Sequence, residues 1–151
     1  PELQAESTRR RMRQRFPDAE ETEAPPAASA AAEADIRRLL EGEKPDLLDI
    51  AIDESRVPEF NAKVYAIARA IPPGETLTYG EIAVKLGDRL LAQAVGKALG
   101  ANPWPIVVPC HRITAAGGKL GGFSARGGQQ TKLRLLAIEG ARAAAQGDLF
   151  G

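Results

Sequence analysis

Cys110, His111 and Arg112 stand in a row and are the most chemically loaded stretch of the 151-residue chain, because Cys110 is its only cysteine and His111 its only histidine. A thiol reacts as the thiolate, which forms at neutral pH only beside a base or in a positive field. Histidine and arginine can supply both. Consecutive side chains in an extended segment point to opposite sides, so His111 is expected to serve Cys110 through a bound water rather than by direct contact. On residue types alone, a buried and inert cysteine is the competing reading. A single cysteine excludes an intramolecular disulfide or a cysteine-based zinc cluster, and a single histidine leaves little for a histidine site. No metal and no cofactor are expected.

Charge is distributed unevenly around this triplet. Lys and Arg together number 20, as do Asp and Glu, yet the signs segregate along the chain. Thr8 to Phe16 carries five arginines (Arg9, Arg10, Arg11, Arg13, Arg15), and Pro17 to Glu59 carries 13 acids against 4 bases. Gly74 to Arg134 carries 8 bases against 3 acids, a net of +5, enough to face a phosphate backbone. There is no run of about 18 apolar residues and no basic-then-apolar leader, so a soluble, cytoplasmic protein with a reduced thiol is expected, nuclear if the source is eukaryotic. The chain begins at Pro1 and its only methionine is Met12, so its natural start is expected to have been removed or to lie upstream.

The elements that must carry the triplet follow from apolar spacing and breakers. Glu20 to Glu33, rich in alanine, proline and glutamate, reads as a linker. Ala34 to Leu40 reads as a short helix, and Leu47, Leu48, Ile50 and Ile52 as a strand-like patch. Phe60, Val64, Ile67, Ala68 and Ile71 recur at helical spacing until Pro72, Pro73 and Gly74 stop them. Thr78 can cap a helix bearing Ile82, Ala83 and Leu86, and after Gly87 and Asp88 a further helix runs from about Leu90 to Leu99. Two short helices across a glycine-containing turn suggest a helix-turn-helix. The second is built almost wholly of small residues, which suits close approach either to another helix or to a groove. Ile106 to Val108 reads as a short buried strand ending at Pro109, Gly117 to Gly122 as a hairpin or wing, and Thr131 to Glu139 as a closing helix.

Pro109-Cys110-His111-Arg112-Ile113 resembles the signature of the O6-alkylguanine-DNA alkyltransferases. Ile71-Pro72-Pro73-Gly74-Glu75-Thr76, Thr78-Tyr79-Gly80-Glu81-Ile82-Ala83, Ala94-Val95-Gly96, Asn102-Pro103, Gly121-Gly122-Phe123-Ser124 and Leu135-Leu136-Ala137-Ile138-Glu139 extend the likeness from Phe60 to Glu139. The resemblance implies an α+β fold: a mainly helical C-terminal domain with a winged helix-turn-helix and a short strand leading to the active-site cysteine, after a partial N-terminal α/β unit. The expected divisions are 1–56 for the N-terminal region and linker, 57–143 for DNA binding and alkyl transfer, and 144–151 for a tail.

The resemblance further implies repair by irreversible transfer of an alkyl group from O6-alkylguanine, flipped out of double-stranded DNA, to Cys110. His111 would be the base acting through water, Glu139 would orient it, and Asn102 would buttress the site. Tyr79 would donate toward the guanine, the Ser124 amide would meet O6, and the carbonyls around Cys110 and Ile113 would read the exocyclic amine. Ala92, Gln93, Gly96 and Lys97 would lie in the minor groove, with Arg112 supporting the fold or a phosphate contact. Bland alternatives exist: Tyr79 as a core aromatic, Glu139 as a solvated helix charge, Asn102 as a turn residue. Gln93 departs from the family, which usually has arginine there to fill the gap left by the flipped base, so weaker extrusion or binding is expected. Phe123 stands where tyrosine is common, and the Ala125 to Thr131 loop is about two residues longer than usual. A non-catalytic sensor of alkylated DNA is the main alternative, but such relatives usually replace the cysteine with tryptophan. A methylation-switched regulator lacks its zinc domain here, and a cysteine hydrolase lacks a recognisable oxyanion hole. The protein is expected to act as a monomer and to need no membrane.

Overall fold

The computed structural model describes residues 2–124 and 127–141. The chain divides into two compact units, Pro1–Ala30 and Ala31–Gly151. In the first, α1 (Glu2–Arg15) is polar on nearly every face, and Glu21 ties back to it through Arg9 and Arg13, both at 2.7 Å. An open groove of about 730 Å³ runs beside Met12 and Phe16, and its lining holds neither cysteine nor histidine. The second helix, α2 (Ala27–Leu40), starts within the expected linker, because the alanine run there is a strong helix former.

The second unit is built on α3 (Glu59–Arg69), β1 (Leu77–Thr78), α4 (Tyr79–Lys85), α5 (Ala92–Gly100), β2 (Ile113–Thr114) and α6 (Gly128–Ile138). Val64, Tyr65 and Ala68 fall on one face of α3 and are fully buried. They meet Ile82 and Ala83 of α4, Val95, Ala98 and Leu99 of α5, and Val108 and Ile113 from the cysteine-bearing segment in one core. Each large aliphatic side chain so buried stabilises the fold by about 1.5–3 kcal/mol. The Tyr65 hydroxyl donates to the Ala98 carbonyl at 2.8 Å, and its ring meets Trp104 edge-on, so α3 also holds the end of α5.

Local chemistry explains the boundaries. Ile71-Pro72-Pro73 ends α3, and Gly74 turns with φ of 91°, where an added Cβ would stand 3.0 Å from the Glu139 carbonyl oxygen. Thr78 and Glu81 form a reciprocal capping box at α4: the Glu81 amide donates to the Thr78 hydroxyl and the Thr78 amide to the Glu81 carboxylate. Asp88 caps the next turn by accepting from the Leu90 amide at 2.8 Å. A 3-10 turn, Arg89–Leu91, then leads directly into α5.

The fold is α+β as expected: mostly helical, with one small strand pair. Its strands fall elsewhere than the apolar runs suggested. Ile106 to Val108 is a turn, closed by the Val108 amide on the Trp104 carbonyl and an isolated bridge from Pro105 to Val108, with Ile106 at φ 76°. Pro103 and Pro105 have no amide to give a ladder, and the Val108 carbonyl is taken by Asn102 and by the Cys110 amide, so this segment is held as a turn rather than paired as a strand. The strand pair instead follows the cysteine, β2 lying parallel to β1 with Leu77 opposite Ile113 and Thr78 opposite Thr114. It fastens the start of the helix-turn-helix to the reactive segment.

Leu47 to Ile52 is not a strand, because one guanidinium nitrogen of Arg69 gathers the carbonyls of Leu47, Leu48 and Ile50 at 2.7–3.0 Å. Among the described residues the N-terminal region is therefore helical rather than α/β. The wing also fails to form a hairpin. Only the Ala115 amide reaches the Lys119 carbonyl, while Gln129 and Lys132 of α6 take the carbonyls of Gly121 and Gly122. The tail from 144 onward, and Ala125 and Arg126 of the longer loop, lie outside the described residues.

Candidate active site

Cys110, His111 and Arg112 occupy a single 3-10 turn rather than an extended segment. The tighter winding turns both His111 and Arg112 inward, at 0% and 4% exposure, and leaves Cys110 partly open. Cys110 borders a cavity of about 320 Å³ whose other walls are Tyr79 from α4, Gly96 and Leu99 from α5, and Gly122, Phe123 and Ser124 from the loop before α6.

Behind the thiol lies a buried ionic cluster. His111 Nε2 meets Glu139 Oε1 at 2.7 Å, while Arg112 donates to the same carboxylate twice, at 2.8 and 3.0 Å. A further Arg112 nitrogen donates to the Ile71 carbonyl at 2.7 Å. Burial alone pushes the Glu139 carboxyl up, but hydrogen bonds and charge from His111 and Arg112 outweigh it and bring the pKa down to about 2. An anionic carboxylate can only accept, so a neutral His111 carries its proton on Nε2 and leaves Nδ1 as the basic nitrogen. That Nδ1 is buried and has no partner among the described protein groups. The imidazole is oriented on one side and free to take a proton on the other.

Two further groups act on the thiol. Asn102 donates to the Val108 carbonyl at 2.9 Å and accepts from the Trp104 amide at 2.9 Å, which staples the turn that delivers Cys110. Burial raises the thiol pKa, and Asn102, Lys132 and the backbone amides of Cys110 and His111 pull against that rise. Lys132 was counted by sequence with the cations facing phosphate, but it is wholly buried. Its ammonium donates to the Ile113 carbonyl at 2.5 Å and the Gly122 carbonyl at 3.2 Å, and stands 5.9 Å from the centre of the Tyr79 ring. Burial lowers its pKa to about 8, with Cys110 opposing. The signal was present in the pattern: Lys132, Leu136 and Glu139 lie at i, i+4 and i+7, the buried stripe of α6.

The expected site residues thus sort by position. Cys110, Tyr79, Gly96 and Ser124 share the cavity; His111 and Glu139 pair behind it, and Asn102 braces the approach. The Tyr79 hydroxyl reaches the Gly122 carbonyl at 3.4 Å, and its pKa is raised by burial and by Cys110. Gln93 and Lys97 lie on the exposed face of α5, whereas Ala92 is half-buried against the core and does not face outward. Of the two roles expected of Arg112, support of the fold is the one found: it is 4% exposed and committed to Glu139 and the Ile71 carbonyl, out of reach of phosphate. The Ile113 carbonyl already accepts one hydrogen bond, from Lys132.

A short helix-turn-helix beside a cavity that bears the chain's only cysteine defines a cysteine-centred helix-turn-helix protein, and comparison with known proteins gives its family. Residues 59–141 match the model of the 6-O-methylguanine DNA methyltransferase, DNA binding domain. The methylated-DNA–protein-cysteine methyltransferase of Mycolicibacterium paratuberculosis is 43% identical over 125 residues, covering 83% of this chain and 73% of its own length. The DNA base-flipping protein of Thermus thermophilus is 38% identical over 120 residues, covering 77% and 79% respectively. A crystal structure of Mycobacterium tuberculosis OGT in complex with DNA aligns with a TM-score of 0.68 at 36% identity, covering 88% of this chain and 81% of that one. The chain belongs to the 6-O-methylguanine DNA methyltransferase family.

Proposed function

We propose that this chain repairs double-stranded DNA by transferring an alkyl group from O6 of guanine to Cys110, once per molecule. The observation that carries the reading is the chain's only thiol on the wall of a base-sized cavity, backed by an oriented imidazole whose free nitrogen is basic. In the reaction the Cys110 proton passes to His111 Nδ1 through water. The sulfur then forms a bond to the alkyl carbon as that carbon's bond to O6 breaks. The Tyr79 hydroxyl donates toward the departing guanine, which ends with one proton more; the proton taken from Cys110 returns from His111 through water to make good that loss, and the Ser124 amide would stand beside O6. The thioether has no route back, so the protein is consumed.

Lys132 helps in two ways. Its positive charge favours the thiolate, and its two carbonyl bonds hold the Cys110 segment against the loop that carries Phe123 and Ser124. DNA would be met by the exposed face of α5 in the minor groove, where small side chains let the backbone approach. The protein would act as a monomer in the DNA-containing compartment of the cell. Among the described residues, no helix is long and apolar enough to cross a membrane.

The test is mass spectrometry after incubation with a duplex containing O6-methylguanine. One methyl on the Cys110 peptide, absent in Cys110→Ser, is expected. Tight binding to the lesion with no methyl gained would sink the reading and establish a sensor.

A further inference from the structure

The most exposed large apolar side chain among the described residues is Leu90, at 88% of its full accessibility. Its backbone is fixed, since its amide donates to the Asp88 carboxylate, and its neighbour Leu91 packs against the core. The side chain is therefore held outward by an ordered turn, and the fold gains nothing from its being leucine. Its place in the sequence is informative. The chain runs from the 3-10 turn straight into α5, and Leu90, Gln93, Ala94 and Lys97 fall at i, i+3, i+4 and i+7. All four are exposed. They form one stripe, with an apolar head at its N-terminal end and a cation at its C-terminal end.

We propose that Leu90 is an apolar wedge that enters the base stack beside the target nucleotide and helps to hold the duplex open while the guanine is out. The proposal rests on the DNA-repair reading and deepens it. Proteins that work from the minor groove commonly insert leucine, isoleucine or phenylalanine between base steps to unstack them. Gln93 lies one turn further along the same stripe and brings no charge, so at this end of the stripe, away from Lys97, an apolar group supplies by desolvation what Gln93 does not supply by electrostatic attraction. The side chain also has nothing to give up on docking, because it leaves water rather than a protein neighbour.

The experiment compares wild type with Leu90→Ala and Leu90→Met. Three measurements are made: methyl transfer from a duplex containing O6-methylguanine, transfer from a free O6-benzylguanine base, and fluorescence of 2-aminopurine placed next to the lesion. Removing most of a leucine from a desolvated contact lowers the duplex rate by about tenfold to a hundredfold. The free-base rate and the melting temperature stay unchanged, the 2-aminopurine signal on binding falls, and Leu90→Met restores most of both duplex readouts. An unchanged duplex rate and fluorescence in Leu90→Ala would overturn the wedge. So would an equal fall with duplex and free base, which would place Leu90 in the chemistry of the pocket. If wild type transfers no methyl at all, the repair reading fails, while the fluorescence comparison still decides the role of Leu90.

Discussion

Replacing Glu139 with glutamine removes one negative charge from a point where two buried groups depend on it. Glu139 is 2% exposed and serves both His111 and Arg112. Its carboxyl titrates near 2 in the fold against an ordinary value of 4.5, and at about 1.4 kcal/mol per pH unit this difference contributes roughly 3 kcal/mol of stability. The folded pKa is the lower one, so the contribution is fully present above pH 4.5 and drains away as the pH falls toward 2. Glutamine forfeits it at every pH and leaves the Arg112 guanidinium buried without its counter-charge, a situation that costs about 3–5 kcal/mol. In urea, with an m-value of about 2 kcal/mol per molar, the unfolding midpoint at pH 7 should fall by roughly 2 M with the slope unchanged. Between pH 4.5 and 3 the wild type should weaken steeply and Glu139→Gln hardly at all. Adding Arg112→Met to Glu139→Gln should recover part of the loss, because the stranded charge is gone. Transfer by the folded fraction should still be slower by about a hundredfold or more, since the imidazole has lost the anion that fixes its tautomer. A midpoint shift below about 0.3 M, or parallel acid limbs for wild type and variant, would refute the assignment of Glu139 as the buried anion of the site.

Other variants probe the remaining parts. Lys132→Met should move the pH midpoint of Cys110 alkylation by iodoacetamide upward, because a cation that favours the thiolate is gone; an unmoved midpoint would leave Lys132 only its structural bonds. Gly121→Ala adds a carbon that would stand 2.9 Å from the Tyr79 ring at a backbone φ of 75°. It should lower stability by about 1–3 kcal/mol and slow transfer, and a thermal melt alongside a single-turnover assay reads both. Gln93→Arg should tighten duplex binding and steepen its log–log salt dependence by about 0.9, the share of one added phosphate contact. Unchanged affinity and repair rate in that variant would show that uncharged Gln93 costs the protein nothing.

How much the sequence disclosed depended on whether the signal was local. The Pro72-Pro73-Gly74 stop, the Thr78 cap and the helical spacing of α3 and α5 are written in adjacent residues and are found in the fold as read. So is the pairing of His111 with Glu139, which the family motif carried. The strands were not legible in the same way. Ile106 to Val108 and Leu47 to Ile52 have strand-like apolar content, but their carbonyls are claimed by Asn102 and Arg69, side chains whose reach no periodicity reveals. A buried cation was missed for a related reason. Lys132 looks like surface charge when summed along the chain, and only the stripe it shares with Leu136 and Glu139 gives it away.

The thinness of α5 has a consequence for the path a base must take. The same nine-residue helix turns Gln93, Ala94 and Lys97 outward and closes the thiol's cavity with Gly96, Leu99 and Gly100 on the adjoining face. In the proposed reaction, duplex and nucleophile are therefore next-door rooms sharing one wall, and the nucleotide needs only to swing across a doorway rather than travel down a tunnel. Gly96 is the jamb of that doorway, where a methyl group would already touch the Tyr79 ring at 3.8 Å. In the proposed reaction, bulk added at this position would narrow the way left for the base and whatever it carries.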